Sequence, residues 1–123
     1  MNINEEIKAL VVKPNCLPKE VTVKKDLESL QEVVGGYIEY VYREQYPNVI
    51  LICNEEGKLN GSSPNRDIGG DIIFGDFIIV GDDGESETSL TEEQINHYKK
   101  VFDQDSIKKT EIKLQSMLDT IGL

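Results

Sequence analysis

Between Asn54 and Gly81 the chain reads NEEGKLNGSSPNRDIGGDIIFGDFIIVG, a segment that gathers Asn54, Glu55, Glu56, Lys58, Asn65, Arg66 and Asp71 among six glycines. Glycines let backbone amides approach a bound group, and Lys58 with Arg66 supplies positive charge to neutralise a phosphate or another small anion. On that basis Asn54, Glu55, Lys58, Asn65, Arg66 and Asp71 form the candidate ligand-binding set. The segment contains neither a P-loop nor a dinucleotide fingerprint, so the ligand it suggests is a small polar, anionic or nucleotide molecule of no fixed identity. The same residues also fit a purely structural reading. Glu55 to Lys58 then make a tight turn with Gly57 at positive φ, Pro64 to Arg66 a second turn, and Gly75 with Asp76 a strand entry, while Arg66 pairs with Asp71 or Glu56. Both readings stay open at this stage.

Other reactive residue types point away from catalysis. Glu55 and Glu56 are a carboxylate pair, but neighbours on a strand face opposite ways, so only one of them can aim into a site. His97 is the only histidine, and it falls opposite the apolar stripe of its helix. Ser62, Ser63, Cys16 and Cys53 therefore lack the usual base of a nucleophilic triad, and no catalytic residue is assigned. No metal set or cofactor is expected either: the run Asp82, Asp83, Gly84, Glu85, Ser86, Glu87 is out of register with a calcium loop, and the cysteine spacing matches no zinc motif. Tyr37, Tyr40, Tyr42, Tyr46 and Tyr98 fit either a stacking groove or ordinary sheet packing.

Thirteen Lys and Arg against 23 Asp and Glu leave 123 residues with a net charge of −10. Such a field repels phosphates, which argues against direct binding of nucleic acid or of anionic membranes. It suits a protein that imitates a nucleic acid, and Asp82, Asp83, Glu85 and Glu87 are the candidate partner-binding set for a basic host protein. The two cysteines make no disulfide framework, the N-terminal segment lacks a signal-peptide pattern, and no apolar run reaches the length of a membrane span. A cytoplasmic protein is expected.

The elements that would position these groups are readable from periodicity. Ile7 to Lys13 and Glu20 to Lys24 read as paired strands, and Asp26 caps a helix carrying Leu27, Leu30, Val33 and Val34 that ends at Gly35 and Gly36. Gly36 to Arg43 is a strand, Val49 to Cys53 an all-apolar strand expected at the centre of the sheet, and Asp76 to Val80 the last strand. Asp82 to Glu93 reads as an exposed acidic loop. Thr91 with Gln94 forms a capping box, and Leu90 with Ile95 a hydrophobic staple, for a helix burying Ile95, Tyr98 and Phe102. After Asp103 to Asp105 a second helix carries Ile107, Leu114, Met117, Leu118 and Ile121 on one face, either packed on the sheet or seated on another copy as a homo-oligomer seam. The chain is thus a single α+β domain, 1–123, with a small mixed sheet, one crossing helix in a β-grasp-like layout and two C-terminal helices.

In order, ALVVKP, LESLQEVVGGYIE, NEEGKL, PNR and DIIFGDFIIVG resemble a family known only as a domain of unknown function, common in bacterial, phage and mobile-element genomes. The likeness spans about residues 7–103 and leaves 104–123 as a helical extension. It implies no activity. It singles out Gly35, Gly36, Asn54, Glu55, Gly57, Lys58, Asn65, Arg66 and Asp71, and it sets the chain in the host cytoplasm if phage-encoded. The expected function is a non-catalytic binding protein that sequesters a small polar or nucleotide ligand to counter host defence. The alternatives are an acidic inhibitor of a host protein and an enzyme of unknown reaction.

Overall fold

A computed structural model describes residues 5–122. Its main sheet is assembled from β1 (Glu6–Val12), β2 (Lys19–Lys24), β3 (Ile38–Val41), β4 (Val49–Asn54), β7 (Phe77–Asp82) and β8 (Glu87–Thr88). The order is β2-β1-β7-β4-β3, with β8 added along the end of β7. A separate two-stranded sheet joins β5 (Pro64–Asp67) to β6 (Ile72–Phe74). Helix α1 (Leu27–Val34) follows β2, while α2 (Glu92–Val101) and α3 (Gln104–Thr120) close the chain. This is the α+β class read from sequence, with one crossing helix and two C-terminal helices. Every pairing of the described strands is antiparallel, which narrows the expected mixed sheet to an antiparallel one.

Strand periodicity explains the layering, because alternate side chains enter opposite faces. Leu10, Val12, Val49, Leu51, Cys53, Phe77 and Ile79 form one core with Ile68, Ile73, Leu90, Ile95, Tyr98 and Phe102, so β5–β6 and α2 cover that face. The intervening residues Ile7, Ala9, Val11, Ile50, Ile52, Ile78 and Val80 meet Leu30 and Val34 of α1 on the other. Strand β4 is interior and apolar on both faces, as its sequence requires, but the middle position belongs to β7, which pairs with both β1 and β4.

Local signals placed the helices. Asp26 caps α1 by accepting from the Ser29 amide at 2.8 Å. Gly35, at φ 79°, ends the helix in the left-handed region, and its amide and that of Gly36 both bond to Gln31 O. Thr91 and Gln94 close the capping box on α2. The acidic stretch is shorter than expected as a loop, since Asp82 ends β7 and Glu87 begins β8.

Glu55 to Lys58 form the turn read from sequence, but one other turn and one backbone conformation are corrected. Pro64 to Arg66 is strand, not turn. Gly57 is absent from the positive-φ residues. It is needed for space instead, because a Cβ there would sit inside the van der Waals shell of the Phe74 carbonyl, a backbone atom that cannot swing aside. Gly57→Ala is therefore expected to destabilise by about 1–3 kcal/mol as an overpacking change. Thermal denaturation checks this, and an unchanged melting temperature would contradict the contact.

Helix α3 is rooted in the body and bare at its tip. Its buried residues are Ile107 and Thr110, whereas Met117, Leu118 and Ile121 are exposed. No helix among the described residues is long and apolar enough to cross a membrane.

Candidate functional site

Asn65 and Arg66 were expected at a ligand, and the structure places both inside the protein. The β5–β6 register slips between Pro64 and Arg66, leaving Asn65 as an extra residue in a β-bulge. A regular strand would turn one of the two outward; the bulge lets both point in, and Arg66 is 0 % exposed. Asn65 Nδ2 donates to Val12 O (2.9 Å) and Gly75 O (2.8 Å), tying β5 to β1 and to the turn before β7.

All donors of the Arg66 guanidinium are used. Nε donates to Ser106 Oγ (2.8 Å), Nη1 to Asn65 Oδ1 (2.8 Å) and Asn65 O (3.4 Å), and Nη2 to Cys16 O (2.6 Å) and Phe102 O (3.1 Å). Neither Asp71 nor Glu56 is a partner, which corrects the pairing expected from sequence. Burial pulls the guanidinium below its usual pKa, partly offset by Asp103, which caps α3 nearby. Phe102 O lies at the C-terminal, electronegative end of α2, a favourable place for a cation. Arg66 is a clamp joining β5, the β1–β2 turn and the α2–α3 junction.

Asn54 is structural as well. Its Nδ2 donates to Val34 O at the end of α1 (3.2 Å), and its Oδ1 accepts from the Glu56 amide (2.8 Å). Gly36 makes room for it, since a Cβ there would lie 2.8 Å from Asn54 Nδ2. Of the residues singled out by the resemblance, Gly35, Gly36, Asn54, Gly57, Asn65 and Arg66 thus have jobs in the fold.

Asn54, Glu55, Lys58 and Asp71 do meet, at a cleft of about 480 Å³ between β3 and the β5–β6 layer. Lys58 pairs with Asp71 at 2.6 Å, both half-exposed, and that bond holds the Asp71 carboxyl below its ordinary pKa. An exposed pair of this kind contributes about 0–1 kcal/mol. Sequence reading missed the wall formed by Glu39 and Val41 of β3 and by Arg43 just past its end. The signal was present: odd-numbered residues of the strand share one face. Arg43 donates to Tyr42 O (3.0 Å), and among the described residues no ion pair engages it. Its charge adds to the lowering of the Asp71 pKa and weakly opposes the rise at Cys53, two residues that line the cleft. Burial pushes the Cys53 thiol up to about 11, so at neutral pH it is protonated and a poor nucleophile.

The acidic set lies elsewhere. Asp82 Oδ1 accepts from the Gly84 amide (2.9 Å), and Asp83 Oδ1 accepts from the amides of Glu85 and Ser86 (2.9 Å each), which lowers the Asp83 pKa. Glu87 accepts from the Tyr40 hydroxyl, while Glu85 is exposed. Much of this charge stabilises the hairpin that carries it.

A family model described as a domain of unknown function, DUF3846, matches residues 7–103. No curated protein and no solved structure matches the chain.

Proposed function

The chain belongs to the DUF3846 family of unknown function, and we propose that it is a non-catalytic binding protein holding a small polar, anionic ligand in the cleft between β3 and the β5–β6 layer. The observation that carries this reading is Arg43, a half-buried cation lining a ligand-sized concavity with no carboxylate paired to it among the described residues. In this reading Arg43 takes the anion, the Lys58–Asp71 pair stands beside it, and Asn65 and Arg66 of the original set hold the walls. A nucleotide is the finer proposal for the ligand. Sequestration of a host signal by a phage or mobile element, in the host cytoplasm, is the setting suggested by the sequence resemblance.

Thermal-shift and calorimetric titration with mono-, di- and cyclic nucleotides and with inorganic phosphate tests it. A ligand at a hundred times its Kd should stabilise the fold by about 2.7 kcal/mol. Arg43→Gln should remove that gain without altering the melting of the free protein. No stabilisation by any probe, or stabilisation retained in Arg43→Gln with Lys58→Gln, would refute the reading.

A further inference from the structure

Among the described residues, strand β3 ends the main sheet and pairs on one side only, with β4. The phase of the ladder shows which of its backbone groups are unused. Glu55 N donates to Tyr37 O at 2.9 Å, so those two form a hydrogen-bonded pair. By the alternation of antiparallel ladders, Glu39 with Cys53 and Val41 with Leu51 do the same. The other side of β4 agrees, because the Asp82 amide bonds to Asn48 O and puts the even-numbered residues of β4 toward β7. Ile38 and Tyr40 therefore turn their N–H and C=O groups away from the sheet. Among the described residues, no turn, loop or side-chain hydrogen bond reaches them.

The opposite edge is guarded differently. Strand β2 carries Lys19 and Lys24 at its ends, a common deterrent to edge pairing. Between Ile38 and Val41 there is no lysine, proline or bulge, and Tyr37, Tyr40 and Tyr42 stand exposed along the strand.

Charge selects the partner. The Tyr40 and Tyr42 rings, 6.4 Å apart and edge to face, border a pocket of about 190 Å³ whose other walls include Asp82, Glu85 and Glu87 and, among the described residues, no basic one. Lys25, the neighbouring cation, is engaged by Ser86 Oγ (3.0 Å) and Glu5 (3.7 Å). Aromatic faces beside carboxylates favour a cation, and the net charge of −10 attracts one at long range.

We infer that the open edge of β3 is a strand-addition site for an extended, basic segment of a partner protein. The added strand pairs with Ile38 and Tyr40 and lays a Lys or Arg on Tyr40 and Tyr42, facing the acidic hairpin. The short edge offers few main-chain bonds, so affinity is modest and side chains set specificity. The inference stands on the ladder and is independent of what the cleft holds.

The test is NMR titration of the uniformly labelled protein with a capped octapeptide of alternating Lys and Val. Saturable shifts are expected at Ile38, Tyr40 and Glu85, with the Tyr40 amide protected from exchange. Tyr40→Pro should weaken binding about tenfold while leaving the fold intact, since proline is tolerated where an edge N–H faces outward. Glu85→Gln with Glu87→Gln should weaken it comparably. Should Tyr40→Pro fail to fold, the same octapeptide N-methylated at alternate residues carries the test on the unaltered protein. Four results would overturn the inference: no saturable binding, equal binding after Tyr40→Pro or N-methylation, equal binding of a Glu–Val octapeptide, or concentration-dependent pairing of β3 with a second copy.

Discussion

Arg66→Ala is expected to lower the stability of the protein by about 3–5 kcal/mol and its melting temperature by roughly 10–20 °C. Replacing a buried charge by an apolar side chain is sometimes neutral, because the desolvation of the ion is recovered. That outcome requires the partners to be replaced too. Here they include the carbonyls of Asn65, Cys16 and Phe102, which no substitution removes. Truncation leaves those oxygens without their donor beside a new cavity, so the unmade hydrogen bonds and the lost packing add. Arg66→Lys should recover only part of the loss, since an ammonium has three donors and no planar fork where the guanidinium makes five bonds. Chemical and thermal denaturation of the two variants measure this. A wild-type melting curve for Arg66→Ala would remove Arg66 from the list of structural residues and return it to the list of binding ones.

Deleting residues 104–123 should be more damaging still, with a loss of about 5 kcal/mol or more, comparable to the whole stability of a small domain. The deletion takes away the buried Ile107 and uncovers the α2–α3 junction. It removes Ser106 Oγ from Arg66, and Thr110 Oγ1 from the Asp67 amide, to which it lies at 3.0 Å. It also deletes Lys113, paired with Asp67 at 2.9 Å. Deleting only 116–123 should cost less than about 1 kcal/mol, because the burial of α3 fades out at the half-buried Leu114 and this last stretch is exposed. Circular dichroism melts of the two truncations separate root from tip. If both fold like the full chain, the helix is an appendage and the clamp around Arg66 is misassigned.

What could be read in advance divides by sequence distance. The Asp26 cap, the Gly35 exit, the Thr91–Gln94 box and the Leu90–Ile95 staple all lie within about one helical turn of the groups they serve, and each was legible. Apolar runs in β1, β4 and β7 likewise announced buried strands. Gly57 misled because its constraint is the Phe74 carbonyl, seventeen positions away by number, and not its own φ. Arg66 misled for the same reason: its partners Phe102, Ser106 and Cys16 are 36, 40 and 50 positions distant. A cation among glycines looks alike whether it faces a ligand or the core. The bulge that decides between them is a register event between β5 and β6, and no single residue type marks it.

The clamp crosses a boundary. The family match stops at Asp103, yet Arg66 Nε is satisfied three residues later, at Ser106, and the Asp67 amide at Thr110. Relatives that keep an arginine at this bulge while diverging beyond the matched region must supply an equivalent oxygen from some other element. The arginine and the segment after the second helix should therefore change together across the family, so that a pairwise covariation signal links the matched core to residues its profile does not include.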